Sequence, residues 1–232
     1  MARKIEPNRS VSDGRLERGV MAMESEALEQ DVGGRSDGGA KRRQIVEGAR
    51  QVFLSAGFDG ASMNDVARTA GVSKGTLYAY FDSKDELFEA IIRGEFAQSA
   101  ERLCTFRREG DAREMLNDFG VRLISRMAEP GTRALARVVL AATEKFPHVG
   151  RAFYEAGPLY GATRLAAELE DMEKSGVLKV PDPERAAWQF VDLCQSYVYK
   201  RLLFGVVDSI SREDIEASVE AGVDVFLKAY GL

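Results

Sequence analysis

An all-α fold of about nine helices follows from three features of the sequence. Apolar residues recur at three- and four-residue intervals through most of the chain beyond Lys41, no alternating strand pattern of useful length occurs, and Gly or Pro breakers separate the periodic segments. The 232 residues, 45% hydrophobic and 30% charged, suffice for one large domain or two small ones with a real core. Six prolines and few Asn-Gly or Asp-Gly turns argue against a sandwich or barrel of short strands.

The elements follow in order. Residues 1–40 carry six glycines, serines, charges of both signs and scattered apolar residues, a composition that predicts a disordered tail. No apolar stretch of signal-peptide length follows its basic residues, and Met21 and Met23 are further candidate starts. From Lys41, Ile45, Ala49, Val52, Phe53 and Ala56 form one helical stripe that Gly57 ends. Ser62, three residues before Asp65, caps a short helix that turns Met63, Val66 and Ala67 inward and breaks at Gly71. Ser73 caps a second short helix running through Leu77 and Tyr78 to Phe81. Ser83 with Glu86 is a capping box that opens a longer helix through Leu87, Phe88, Ile91, Ile92 and Leu103. Further helices are expected over 111–128, 131–145, 148–174, 183–204 and 212–230, with Asp182-Pro183 and Ser211 as start signals. No run approaches the roughly 18 apolar residues of a membrane span.

Several functions are disfavoured. A lone histidine, His148, argues against a Ser-His-Asp triad or a multi-histidine metal site, and it reads as a cap or surface residue after Pro147. Cys104 and Cys194 form neither a CxxC nor a disulfide framework, so two buried thiols in a cytoplasmic protein are expected. No paired-carboxylate or nucleophile–base spacing supports a small all-α enzyme, and no cofactor or metal is expected.

Net charge is -5, but it is unevenly spread: -2 over 1–40, +3 over 41–84 and -6 over 85–232. A basic block on an acidic body suits a module that meets phosphate locally. Within that block, the tight turn at Ala70-Gly71-Val72 joins two short helices at the steep angle of a helix-turn-helix. If Val72, Leu77 and Phe81 face the first helix, then Ser73, Lys74, Gly75, Thr76, Tyr78 and Tyr80 are left for the outer surface. Gly75 in a first helical turn costs about 0.5–1 kcal/mol relative to Ala, which makes sense where a side chain would hold the helix off something it must approach.

The run from Lys41 to Arg102 resembles the DNA-binding domain of the TetR family of transcriptional regulators. The matching residues are Arg43-Gln44-Ile45-Val46 with Ala49, Phe53, Gly57 and Phe58; Ser62-Met63 with Asp65-Val66-Ala67; Ala70 through Tyr78 without interruption; and Tyr80-Phe81, Ser83-Lys84 and Glu86-Leu87. The resemblance implies that residues 73–81 enter the major groove of double-stranded operator DNA. It implies that Ser73, Lys74, Gly75 and Thr76 meet phosphate and base edges, and that Tyr78 and Tyr80 reach backbone and thymine methyls. Ser62 and Lys84 would meet phosphate. Many relatives carry His at the position of Tyr80. Arg42, with Lys41 and Arg43, would form an arm along the backbone or the minor groove, a solvated helix start being the alternative.

Beyond residue 103 the chain is expected to be a helical sensing and dimerisation domain. Phe146-Pro147 followed by Ala152 through Pro158 resembles the AefR-like C-terminal domain, which suggests a repressor. Phe146, Phe153, Tyr154, Tyr160, Trp188 and Tyr197 supply apolar walls with a few hydroxyls for a small, largely apolar effector of unknown identity, core filling being the alternative for each. The last two helices, 183–204 and 212–230, carry Trp188, Val191, Leu202, Leu203, Ile215, Val219, Val223 and Phe226 in a stripe broad enough for a second surface. The resemblance implies that these helices form a four-helix homodimer interface. Together these readings predict a homodimeric, ligand-responsive regulator, a repressor rather than an activator, on a pseudo-palindromic operator; a ligand-independent DNA-coating protein is the rival.

Overall fold

The computed structural model describes residues 36–103, 105–106 and 111–232, with the side chains of 36–37 and 97–102 outside that description. The expected tail falls outside it up to Arg35, as does Cys104. The described residues form α1 (Ser36–Gly60), α2 (Met63–Thr69), α3 (Lys74–Tyr78), α4 (Lys84–Leu103), α5 (Ala112–Ala128), α6 (Pro130–Thr143) and α7 (Pro147–Tyr154). A π-helical turn (Glu155–Leu159), α8 (Tyr160–Lys174), α9 (Pro183–Gln195), α10 (Val198–Leu203) and α11 (Arg212–Tyr230) complete them.

All nine expected segments are present, and two are interrupted. The run expected over 148–174 is continuous helix but widens into the π turn, where Pro158 has no N–H to give to the carbonyl four residues back. The run expected over 183–204 breaks at Ser196–Tyr197, where the Ser196 hydroxyl donates to the Leu193 carbonyl (3.0 Å), a bond that competes with the helix. Helix α1 begins at Ser36, ahead of the expected Lys41, and Gly57 interrupts it with φ 72°.

Two apolar cores organise these helices. The first gathers Ile45, Phe53, Phe58, Val66, Leu77, Phe81, Phe88 and Ile92, and extends to Leu135, Val139 and Val149 of α6 and α7. Phe58 anchors it, with ring centroids 5.6 Å from Phe53, 5.1 Å from Phe88 and 5.0 Å from Phe146. The second joins Leu116 and Phe119 to Leu165, Leu169, Phe190, Val219, Val223 and Phe226. Cys194 lies in this core, and burial pushes its thiol up to about 12, so it acts as a small apolar residue.

The α2–α3 turn is held from α1. Gly71 takes φ 64°, and the N–H groups of Val72 and Gly71 donate to the carbonyls of Ala67 (3.0 Å) and Arg68 (3.2 Å), closing a Schellman motif. The Gln44 amide donates to the Ala70 carbonyl at 2.6 Å. A Cβ at Gly48 would sit 2.8 Å from both the N and Cα of Ala70, so α1 and the turn touch backbone to backbone.

Gly48→Ala is therefore expected to destabilise the protein by about 1–3 kcal/mol, since backbone must move to admit the methyl. In urea denaturation, Gly161→Ala serves as control: its Cβ meets nothing within 4 Å, and the change should gain about 0.5–1 kcal/mol. An unchanged midpoint for Gly48→Ala would show that this approach carries no constraint.

Candidate nucleic-acid interface

Helix α3 has two unlike sides. Leu77 and Phe81 are buried against α1 and α4, while Ser73, Lys74, Gly75 and Tyr78 are exposed and Thr76 is half-buried. Ser73 caps the helix: its hydroxyl accepts from the Thr76 N–H (3.0 Å) and lies 2.8 Å from the Thr76 hydroxyl. A Cβ at Gly75 would meet only Ser73 Oγ at 3.8 Å, in ordinary helical backbone. Nothing inside the fold requires glycine there.

Of the two tyrosines expected to face outward, Tyr78 does and Tyr80 does so only in part. Tyr78 is 50% exposed, while Tyr80 is partly buried and packs on the first core. The cause is local. Helix α3 ends at Tyr78, and the Tyr80 N–H donates to the Leu77 carbonyl three residues back (3.0 Å), so Tyr80 leaves the outer stripe. Arg42 is exposed, with its guanidinium 5.0 Å from the Phe81 ring centroid, which sets a cation beside the C-terminal end of α3.

Ser62 caps α2, accepting from the Asp65 N–H (3.2 Å) and donating to the Asp65 carboxylate (2.5 Å). The bonds from Ser62 and Arg68 hold the Asp65 carboxyl below its ordinary range. Lys84 is turned inward in part. Its ammonium donates to the carbonyls of Phe58 (2.9 Å) and Asp59 (3.4 Å) and lies 4.6 Å from the Phe58 ring centroid. Lysine at the start of α4 thus caps the C-terminal end of α1, a role its spacing from Ser83 does not suggest. Nearby, Lys145 pairs with Asp59 (2.8 Å), holding that carboxyl down, and His148 meets Asp85 at 2.5 Å.

The six aromatics expected to line one cavity are divided. Phe146 packs on Phe58 in the first core, and Phe153 on Phe96 of α4 (5.1 Å). Tyr154 stacks on Trp188 (5.8 Å, planes 2° apart), and Tyr160 begins α8. Tyr197 is 67% exposed and lines a separate groove with Leu193, Ala217, Ser218, Ala221 and Val225. The break at Ser196–Tyr197 turns Tyr197 away from the others.

The apolar stripe on the last helices is also differently used. Leu202, Ile215, Val219, Val223 and Phe226 are buried within the fold, so the outward groove is formed by residues that the stripe did not include, among them Leu193, Tyr197, Ala217, Ala221 and Val225. Close crossing explains it: a Cβ at Gly222 would lie 3.0 Å from the Cys194 N, and the Ser218 hydroxyl donates to the Cys194 carbonyl (2.9 Å).

Comparison with known proteins agrees with this architecture. Residues 45–91 match the family model of bacterial regulatory proteins of the tetR family, and residues 114–232 match the AefR-like transcriptional repressor, C-terminal domain. The HTH-type transcriptional regulator UidR of Escherichia coli K12 is 30% identical over 186 residues, covering 78% of this chain and 88% of UidR. Two solved structures are similar throughout. A TetR-family transcriptional regulator from Mesorhizobium loti has TM-score 0.77 and 26% identity, over 85% of this chain and 100% of that one. The flavonoid-responsive regulator FrrA has TM-score 0.75 and 35% identity, over 83% and 98%. The chain belongs to the TetR family of transcriptional regulators, with a DNA-binding helix-turn-helix at α2–α3 and an AefR-like C-terminal domain.

Proposed function

We propose that this regulator is a cytoplasmic repressor that binds a pseudo-palindromic operator as a homodimer and leaves it when a small, largely apolar effector binds. The observation that carries the reading is the division of α3: Leu77 and Phe81 are spent on the core, and Ser73, Lys74, Gly75 and Tyr78 face outward with no fold-internal need for glycine. A polar face of hydroxyls, an ammonium and an uncovered backbone suits the major groove, where base edges present donors and acceptors. Gly75 would bring the helix backbone close to the DNA, Ser73 and Thr76 would supply hydroxyls, and Tyr78 would meet a sugar or a thymine methyl. Lys74, Arg42, Ser62 and the remaining N–H of Lys84 would meet phosphates, with Tyr80 contributing only its outer edge.

Dimerisation through α9–α11 is supported by the outward groove, where the small residues Ala217 and Ala221 lie between the apolar Leu193, Tyr197 and Val225 and would admit a neighbouring helix. One helix-turn-helix offers few contacts, and two must sit about 34–36 Å apart to meet successive grooves. Effector binding is assigned to the aromatics flanking the π turn, namely Phe153, Tyr154, Tyr160 and Trp188, without Phe146 and Tyr197. The similar structure of a regulator named flavonoid-responsive favours a planar aromatic effector.

Gly75→Leu should leave the urea midpoint within about 1 kcal/mol of wild type while abolishing measurable operator binding in a gel-shift titration. Retained binding would exclude close approach of α3. Lys74→Ala should weaken binding to operator and to random duplex alike and reduce the salt slope by about 2 per dimer, one for each copy. A loss confined to the operator would assign Lys74 to base reading instead. Since Trp188 is the chain's one tryptophan, titration with a planar flavone such as apigenin should quench its fluorescence and release operator over the same concentrations. Release without a change at Trp188 would move the effector site elsewhere.

A further inference from the structure

A half-buried ionic cluster joins the scaffold of the helix-turn-helix to the body. Glu95 of α4 lies between Arg126 of α5 and Arg50 of α1: its carboxylate accepts from Arg126 Nη2 at 2.7 Å and stands 3.6 Å from Arg50 Nη2. Arg126 also donates to the Glu95 carbonyl (3.1 Å) and the Thr132 hydroxyl (2.6 Å), and it pairs with Glu129. The side chains of Glu95 and Arg126 are only 14% and 19% exposed. At the start of α6, Gly131 leaves the space that the Arg50 guanidinium fills; a Cβ there would lie 2.6 Å from Arg50 Nη2.

The position of Glu95 along α4 gives the cluster leverage. Leu87, Phe88, Ile91 and Ile92 bind α4 to the first core, and Glu95 follows one turn later. From Lys84 to Glu95 is eleven residues of helix, a lever of about 16 Å. A tilt of about 10° at Glu95 would shift the Lys84 end by about 3 Å, close to the ~3.4 Å between successive base pairs. Shape complementarity of apolar side chains alone tolerates such small slides, whereas a charge-assisted bond to Arg126 and an ion pair with Arg50, on different helices, favour one angle.

We infer that Glu95 is a positioning residue for operator binding: by holding Arg50 and Arg126 together it fixes the tilt of α4, and with it the half-site spacing that the paired recognition helices accept. This rests on the DNA-binding reading above, and the experiment separates the two. Duplexes selected from a random pool by the wild-type protein are compared with versions whose two half-sites lie one base pair nearer or farther.

Wild type should lose roughly tenfold or more in affinity for each altered spacing. Glu95→Gln should shrink that penalty to under about threefold while leaving affinity for an isolated half-site unchanged. Arg50→Gln, at a more exposed member of the cluster, should do the same, and the double variant should add little, which marks one shared interaction. It carries the test alone if Glu95→Gln fails to fold. Folded variants that keep the wild-type spacing penalty would overturn the inference. A wild-type protein that selects no symmetric site would overturn the DNA-binding reading, and this inference with it.

Discussion

The contact on which the molecule turns is the backbone approach of Gly48 to Ala70. Because α1 carries no side chain at that point, the turn between α2 and α3 lies directly on it, and Gln44 caps the turn one helical turn earlier. With the turn held there, Leu77 and Phe81 have one place to go, into the cluster around Phe58 and Phe88. The opposite side of α3 is then necessarily outward. Its surface character is a consequence of the packing beneath it, and its residues are free to be chosen for what they meet.

The same logic explains how much was legible in the sequence. Caps and breakers are local chemistry, so Ser62, Gly71, Ser73, Ser83, Asp182 and Ser211 mark their boundaries from short spacings alone. The outer stripe of α3 was legible as far as the helix continues. Tyr80 departs from the outer stripe because the helix ends three residues sooner than its apolar period suggests, and its N–H then donates to the Leu77 carbonyl three residues back. Gly48 had a signal: a glycine inside a strongly periodic helix implies something close against it. Lys84 and the Glu95 cluster have none, since their partners lie 25 to 45 positions away in sequence, Arg50 to Glu95 being the longest separation (95 − 50).

The C-terminal half was read less completely for a different reason. Aromatic side chains announce burial but not the partner against which they are buried, so one list of six rings covers the first core, the π-turn region and an exposed groove. Likewise, an apolar stripe on α9 and α11 does not say which neighbour it serves. Here the stripe residues close the second core, and the close crossing at Gly222 and Cys194 leaves Tyr197, Ala217, Ala221 and Val225 along the outward groove. The first core reaches from Phe53 and Phe88 to Val139 and Val149, so the helices beneath the DNA-facing surface share their interior with α6 and α7. Under the proposed effector response, a rearrangement near the π turn would reach α3 through these packed side chains, with no direct contact to DNA.

The central claim is that α3 is presented twice, at a fixed distance, to one face of duplex DNA. Hydroxyl-radical footprinting of the purified protein on the DNA flanking its own gene tests this most directly. The account predicts two symmetric protected patches with centres about one helical turn, ~10–10.5 base pairs, apart on one face of the duplex. Continuous protection along the fragment, or none in low salt, would contradict it.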